Sequence, residues 1–322
     1  MKTIWSLLFI VLLISCNPDC DLCTPENFRE EMRILVSEIS EFAKDQNSTF
    51  VIIPQNGIEL ITEDGLPDGE LSTGYLEAID GHGQEDLFFG YNSDNQATPE
   101  ETSAYLNEFL NRSSEQGKPI LVTDYCSDKE KVDAAHSVCV NSSFISFAAN
   151  ERDLSNIPPY PATPYEVNDN NINDLTSVRN FLYILNQKVF TEHSDFIQAV
   201  SATDYDLLIM DLYGENGISY TSEEINQLKQ KVNGGTRLLI CYLSIGEAED
   251  YRYYWQSDWS KNSPDWLGKE NPKWDGNYKV RYWHDEWKEI ILGQENSYLS
   301  KILSAGFDGV YLDIIDAFEY WE

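Results

Sequence analysis

Two hydrophobic rhythms alternate along this chain. Residues 28–44 place apolar side chains at 28, 32, 35, 36, 39, 42 and 43, which is one stripe of a helix. Thr24-Pro25-Glu26 ahead of them offers a cap and a proline for the first turn. Short apolar runs then follow at intervals: FVIIP (50–54), LFFGY (87–91), ILVTDY (120–125) and FISFA (144–148). Unbroken runs of this length read as strands buried on both faces. Helical spacing returns between some of them, notably over 98–112, opened by Thr98-Pro99.

The rhythm stops at residues 157–176. Prolines at 158, 159, 161 and 164 and an Asn/Asp run at 168–174 cannot hold a core element and read as a linker. It resumes with FLYIL (181–185), DLLIMDLY (206–213), RLLICYLS (237–244), YKVRYW (278–283) and GVYLDII (309–315). Thr221-Ser222-Glu223-Glu224 starts a further helix in capping-box style, expected to run to Gly234-Gly235. Strands alternating with helices predict a parallel α/β fold, an eight-stranded TIM-like barrel. Nine runs compete for the eight places, and FISFA and FLYIL, which flank the linker, are the suspect ones. An open doubly wound sheet is the alternative, but no G-x-G-x-x-G follows any run.

The front of the chain reads as a targeting segment. Lys2, the apolar stretch 4–14 and Leu13-Ile14-Ser15-Cys16 form a lipoprotein signal, too short for a membrane-spanning helix. Cys16 is then the lipidated first residue after a signal peptide at 1–15, with a tether at 16–25 and one catalytic domain at 26–322. An ordinary secretory signal is the alternative. Either one takes the protein out of the cytoplasm, and membrane contact is expected through the anchor alone.

Composition narrows the partners. The formal net charge of −33 argues against nucleic acid or an anionic membrane face. It suits a neutral or cationic ligand, or serves solubility alone. Six cysteines are too few for a disulfide scaffold in a chain of 322 residues. Cys20 and Cys23 fall in the tether, Cys126 and Cys139 are spaced for a disulfide, and Cys241 sits in an apolar run as a core residue. No cysteine or histidine spacing forms a zinc motif, and neither metal nor cofactor is expected.

Acidic and polar residues gather where strand runs end. Asp211 follows LLIM; Glu247, Glu249 and Arg252 follow ICYLSIG; Asp313 and Asp316 follow GVYL. Gln55 and Asn56 follow FVIIP, Glu85 and Asp86 precede LFF, and Asp124 follows ILVT. In a barrel the C-terminal strand ends carry the active site. Glycoside cleavage needs two carboxylates flanking one bond, which such ends can supply. Single residues also have structural readings: Asp211 as a turn cap, Glu249 as an ion-pair partner for Arg252, Asp86 and Asp316 as loop anchors. Residues 251–287 are rich in tryptophan and tyrosine, Tyr282 and Trp283 among them. Such rings line sugar clefts or fill loop cores.

Six blocks carry a family resemblance. CYLSIGEAEDYRYYW (241–255), WLGKENPKWDGNYKVRYW (266–283) and GFDGVYLDIIDAFEYW (306–321) resemble glycoside hydrolase family 114, the endo-α-1,4-polygalactosaminidase group. FVIIPQNGIEL (50–60), GHGQEDLFF (81–89) and KPILVTDY (118–125) extend the resemblance to nearly the whole chain after its leader. The order is rotated, because the last three blocks follow GVYLDIIDA in that family and precede it here. The resemblance therefore implies a circularly permuted barrel joined through 157–176. It implies a glycosidase acting on α-1,4-linked galactosamine-containing polysaccharide, a cationic amino-sugar polymer; a monomer is expected. Asp313 is then the nucleophile of a retaining mechanism and Glu85 the general acid/base, with Glu247 or Glu249 as the alternative acid. Asp211, Tyr242, Glu247, Glu249, Arg252, Gln55, Asn56, Asp316, Tyr282 and Trp283 would line sugar subsites. The competing function is a non-catalytic carbohydrate-binding lipoprotein on the same barrel. A serine hydrolase is disfavoured, since no G-x-S-x-G is present.

Overall fold

The computed structural model describes residues 27–259 and 261–322. The signal peptide, Cys16, Cys20, Cys23 and the Thr24-Pro25-Glu26 cap lie outside these residues. The strands in chain order are β1 (Val51–Pro54), β2 (His82–Glu85), β3 (Ile120–Tyr125), β4 (Ile145–Ala149), β5 (Phe181–Tyr183), β6 (Leu207–Met210), β7 (Leu238–Ser244), β8 (Glu247–Glu249), β9 (Leu267–Glu270), β10 (Asn277–Val280) and β11 (Gly309–Asp313). One parallel sheet has the order β1-β11-β7-β6-β5, and a second has β2-β3-β4. A parallel bridge between Gln55 and Gly83, with Asn56 N–H on Gly83 O at 2.8 Å, joins β1 to β2. At the other edge β4 lies beside β5 without a ladder, the Phe147 and Phe181 rings 5.4 Å apart. The parallel strands thus follow one another round a ring in sequence order, with the ladder open between β4 and β5. The arrangement is α/β and compatible with a TIM-like barrel.

Local physics explains most of the elements. FVII, LLIM, LLICYL and VYL are buried on both faces, as a parallel sheet covered by helices requires. FISFA and FLYIL, the suspect runs, are genuine members of the ring as β4 and β5. The peripheral run is YKVRYW, whose first residues form β10 between β8 and β9 in a small antiparallel sheet. LFFGY is not a strand; the strand there is the preceding HGQE. That segment carries no apolar alternation, because its inward positions are Gly83 and Glu85. Gly83 is required by close approach: a Cβ there would come 2.0 Å from the Tyr311 hydroxyl oxygen.

The helices are α1 (Phe28–Gln46), α2 (Thr73–Ala78), α3 (Glu100–Glu115), α4 (Lys129–Asn141), α5 (His193–Ser201), α6 (Ser222–Leu228), α7 (Asp285–Ile291) and α8 (Tyr298–Ala305). Asn27 caps α1 through its side chain on the Glu30 N–H at 3.1 Å. Its buried stripe of Met32, Leu35, Val36, Ile39 and Ala43 follows the spacing read from sequence. Burial of each larger side chain contributes about 1.5–3 kcal/mol. The helix packs against α2, α8 and the last turn, a 3-10 helix at Ile315–Tyr320, and so fills the place between β11 and β1. Arg29 near its start pairs with Glu322 at 2.8 Å. Thr221 and Glu224 form the expected capping box, but α6 ends at Leu228, ahead of Gly234-Gly235.

The linker holds no helix or strand before the short 3-10 turn at Leu175–Ser177. It is nevertheless anchored. Ile172 N–H reaches Thr236 O at 3.0 Å, and Asn168 donates to Asp206 at 2.9 Å. The fully buried Lys231 side chain joins Asp206 at 3.0 Å and Asn168 O at 2.8 Å. Cys126, Cys139 and Cys241 are all free buried thiols, so the Cys126–Cys139 disulfide that the spacing allows is not formed.

Candidate active site

Strand register decides which polar residues meet. Tyr311 and Asp313 of β11 stand opposite Tyr242 and Ser244 of β7, and Gly83 and Glu85 of β2 opposite Leu121 and Thr123 of β3. Period-2 alternation then turns Asp313, Tyr242, Glu85, Tyr125 and Gln55 to one interior face at the C-terminal end of the ring. Gln55 Nε2 donates to Glu85 Oε2 at 2.7 Å and to Asp313 Oδ1 at 3.2 Å. The Tyr242 hydroxyl donates to Asp313 Oδ2 at 2.7 Å. The Tyr125 hydroxyl donates to Glu85 Oε1, and Asn56 Nδ2 to Glu85 Oε2 at 3.3 Å. Asn56 Oδ1 also receives the Glu85 N–H at 3.1 Å, locking the end of β1 to that of β2. Both carboxyls keep part of their surface exposed.

The three residues that follow these positions share a feature. Asn56, Asp86 and Ile314 have φ of 60°, 56° and 58°, the left-handed region. Each turns the chain away sharply and leaves the preceding side chain at the rim. Asparagine and aspartate tolerate this conformation; a β-branched isoleucine does not, and such strain costs on the order of 1–3 kcal/mol. Ile314 is held there by its surroundings. Ile245 N–H bonds Asp313 O at 3.1 Å, and Gly246 approaches so closely that a Cβ would lie 2.1 Å from Ile314 O.

Enclosure shifts the acids. Burial, then the charge of Asp313, pushes the Glu85 carboxyl up to about 7 against the opposing hydrogen bonds from Tyr125 and Asn56. Burial pushes Asp313 up to about 7, opposed by the Tyr242 hydroxyl and reinforced by Asp316. Asp316, in the last turn, is pushed up to about 7 by burial and by Glu319. The leading influences on all three are burial, other carboxylates and hydrogen bonds, with no cation among them.

The remaining candidates form two further groups. Arg252 pairs with Asp211 at 2.6 Å and with Glu249 at 2.6 Å, all three buried. Asp211 also accepts the Tyr213 N–H at 2.8 Å, so the turn-cap and ion-pair readings both describe real contacts. Glu247 accepts from Asn271 at 2.8 Å, Tyr320 at 2.8 Å and Asn277 at 3.4 Å, tying the small sheet to the last turn. Asp124 faces away from the carboxylate pair and accepts the Phe88 and Phe89 N–H groups at 2.8 and 2.9 Å. Asp86 pairs with Arg152 at 3.0 Å.

The aromatic stretch is mostly packing. Tyr282 is fully buried with its hydroxyl on Phe28 O at 2.7 Å, so it offers no surface to a sugar. Trp283 packs between Phe28 and Trp321 at 5.2 and 5.3 Å, outside the carboxylate cluster. Trp255, Trp259, Trp266 and Trp287 stack in succession beneath the loops at 5.2, 5.0 and 5.0 Å. Tyr251, Tyr253 and Trp274 remain exposed. Sequence reasoning passed over Tyr125 in favour of its neighbour Asp124. Strand phase was the available signal, since residue 125 shares a face with 123 and 121, and 124 does not.

Comparison with known proteins finds relatives of part of the chain. The chain is 49% identical over 128 residues to "Uncharacterized protein MJ1477" of Methanocaldococcus jannaschii, covering 39% of this chain and 34% of that one. It is 40% identical over 142 residues to an uncharacterized protein of Thermotoga maritima, covering 44% and 40%. It is 39% identical over 123 residues to one of Deinococcus radiodurans, covering 38% and 37%. The matched stretch thus spans about a third to two-fifths of the length of these relatives. The model of the glycoside-hydrolase family GH114 matches residues 162–321. That stretch holds Tyr242, Arg252 and Asp313, while Gln55 and Glu85 lie ahead of it. Over residues 162–321 the chain is thus similar to glycoside-hydrolase family GH114.

Proposed function

We propose that this protein is a retaining glycosidase acting on α-1,4-linked galactosamine-containing polysaccharide, with Asp313 as nucleophile and Glu85 as acid/base. The shared Gln55 nitrogen carries this reading. The two carboxylate oxygens can be no farther apart than its two hydrogen bonds, 2.7 and 3.2 Å, laid end to end. Oxygens this close favour the about 5–5.5 Å carboxyl spacing of a retaining pair over the about 6.5–9.5 Å of an inverting one. Both carboxyls are pushed up to about 7 and the charge of Asp313 raises Glu85, so the pair favours holding one proton between them, as a nucleophile beside a protonated acid requires.

In the first step the Asp313 carboxylate attacks the anomeric carbon while Glu85 gives its proton to the departing glycosidic oxygen. The glycosidic bond breaks and a glycosyl ester on Asp313 forms. Glu85, now ionised, takes a proton from water, whose oxygen attacks the anomeric carbon and frees Asp313. Both carboxyls return to their starting states. A cationic sugar fits the formal net charge of −33 and the cluster of Glu85, Asp313 and Asp316 carboxyls. The leader with Cys16 supports an extracytoplasmic, lipid-anchored setting for a polymer-degrading enzyme.

The same reading takes the fold as a (β/α)8 barrel with circularly permuted strand order. Three observations support it: α1 fills the place after β11, Arg29 meets Glu322, and the family match begins at 162 inside the linker. A ring in which the first and last strands are neighbours can be cut at any loop.

The test is reducing-end release from an α-1,4-linked galactosamine polymer, comparing wild type with Asp313→Asn and Glu85→Gln. Both variants are expected to stay folded and to lose about 10²–10⁴-fold or more in rate. Activity surviving in Glu85→Gln would move the acid to Glu247 or Glu249. Binding without any bond cleavage by wild type would favour the recognition-module function instead.

A further inference from the structure

Tyr251 is both exposed and immobilised. It leaves 63% of its surface open, yet its hydroxyl donates to Glu249 Oε1 at 2.5 Å. The Arg252 guanidinium lies 5.2 Å from its ring centre. Both anchors are themselves buried, and each is held by the other. A ring fixed at its tip and backed by a cation has already met the ordering cost that a mobile side chain would meet on binding.

That ring stands at a cleft of about 410 Å³ lined also by Asp211, Tyr213, Arg252 and Tyr253. The volume lies in the range of small-molecule sites, about 300–1,000 Å³. Its place in the ring is adjacent to the carboxylate pair. Asp211 leaves the end of β6; β7 next to it carries Tyr242, which holds Asp313. Asp211 and Arg252 line the floor, and buried Glu249 behind them is the second partner of the guanidinium, so two carboxylates face one cation there. Lys188 at the rim is already paired with Asp153 at 3.0 Å, and exposed Glu215 adds a further carboxylate.

We infer that this cleft is a distal subsite for a sugar residue of the same polymer chain, with Tyr251 as its stacking face. It accepts neutral or ammonium-bearing residues and disfavours uronates. The inference rests on the glycosidase reading for its ligand, and on the cleft and the pinned ring for its location. Aromatic faces bind the apolar side of a sugar ring, and the unbalanced floor charge repels a carboxylate on that ring.

Calorimetric titration of the Asp313→Asn protein separates binding from turnover. The probes are α-1,4-linked galactosamine oligosaccharides of increasing length and galacturonate oligosaccharides of matching length. Affinity is expected to step up once the chain reaches the cleft, with the galacturonates weaker at every length. Adding Tyr251→Ala should remove that step, weakening long chains about two- to twelvefold, the worth of one aromatic contact. Tyr251→Phe, which keeps the ring and loses its hydroxyl anchor, should fall between. A loss equal at all lengths, no loss at all, or no binding of any probe would overturn the subsite. A length-dependent step lost with Tyr251→Ala, in a protein whose wild type cleaves nothing, would sink the glycosidase reading and leave the subsite standing.

Discussion

Glu85 and Asp313 accept hydrogen bonds from one and the same nitrogen, Gln55 Nε2, at 2.7 and 3.2 Å. The amide has two hydrogens and spends one on each carboxylate, so it sets their spacing and stabilises the charged form of both. Gln55→Ala removes that clamp. A hydrogen bond to a charged group contributes about 1.5–3 kcal/mol, so kcat/KM should fall roughly 10- to 100-fold. The pH optimum should also move upward, because a hydrogen bond donated to a carboxylate favours its charged form. A loss of rate with an unmoved pH profile would show that Gln55 only fills space.

Two tyrosines make the role assignment testable. Tyr125 reaches Glu85 alone and Tyr242 reaches Asp313 alone among the pair. In a retaining enzyme the acid limb of the kcat/KM profile reports the nucleophile and the basic limb the acid/base. Tyr242→Phe should therefore shift the acid limb to higher pH, and Tyr125→Phe the basic limb to higher pH. If the limbs respond the other way round, Glu85 is the nucleophile and Asp313 the acid.

The raised carboxyls have a cost in stability with a definite sign. Glu85 and Asp313 are pushed up to about 7 in the folded chain, above about 4 in the unfolded one. Their contribution to stability is complete below about pH 4 and is lost as pH rises through about 7. Asp313→Asn and Glu85→Gln should thus melt higher than wild type at pH 8, by on the order of 2–4 °C for each kcal/mol recovered. Near pH 4 the advantage should vanish. Equal melting temperatures at pH 8, measured by calorimetry, would mean that these carboxyls are not raised.

Arg252 pairs with two buried acids at once, both at 2.6 Å. Arg252→Met leaves Asp211 and Glu249 facing each other without a cation, which should destabilise the fold by about 3–5 kcal/mol. Arg252→Met with Asp211→Asn and Glu249→Gln should recover much of that loss. Urea denaturation of the single and triple variants distinguishes an uncompensated charge from lost packing.

The Arg29–Glu322 pair at 2.8 Å places the last residue beside the start of α1. A chain rebuilt to begin at residue 162, with 322 joined to 27 by a short flexible linker, should fold with the same circular dichroism and keep any polymer cleavage. Failure of this rearranged chain to fold would show that the 157–176 segment, through Asn168 and Lys231, is needed as a continuous tie.

What the sequence determined by itself was set by neighbours a few residues apart. The stripe of α1, the Thr221–Glu224 capping box and the apolar strands β3, β6, β7 and β11 all follow from local periodicity and capping chemistry. The blocks at strand ends also pointed to Glu85 and Asp313. Other features needed the strands brought side by side. β2 is polar because Tyr311 from the far end of the chain packs on Gly83, so no local pattern marks it as a strand. YKVRYW reads as one more strand run, and its pairing with β8 and β9 makes it peripheral. Gln55 became a clamp because parallel register brings β1 beside β11, 258 residues apart. Such meetings depend on which strands become neighbours when the ring assembles, and that is decided by packing across the whole core.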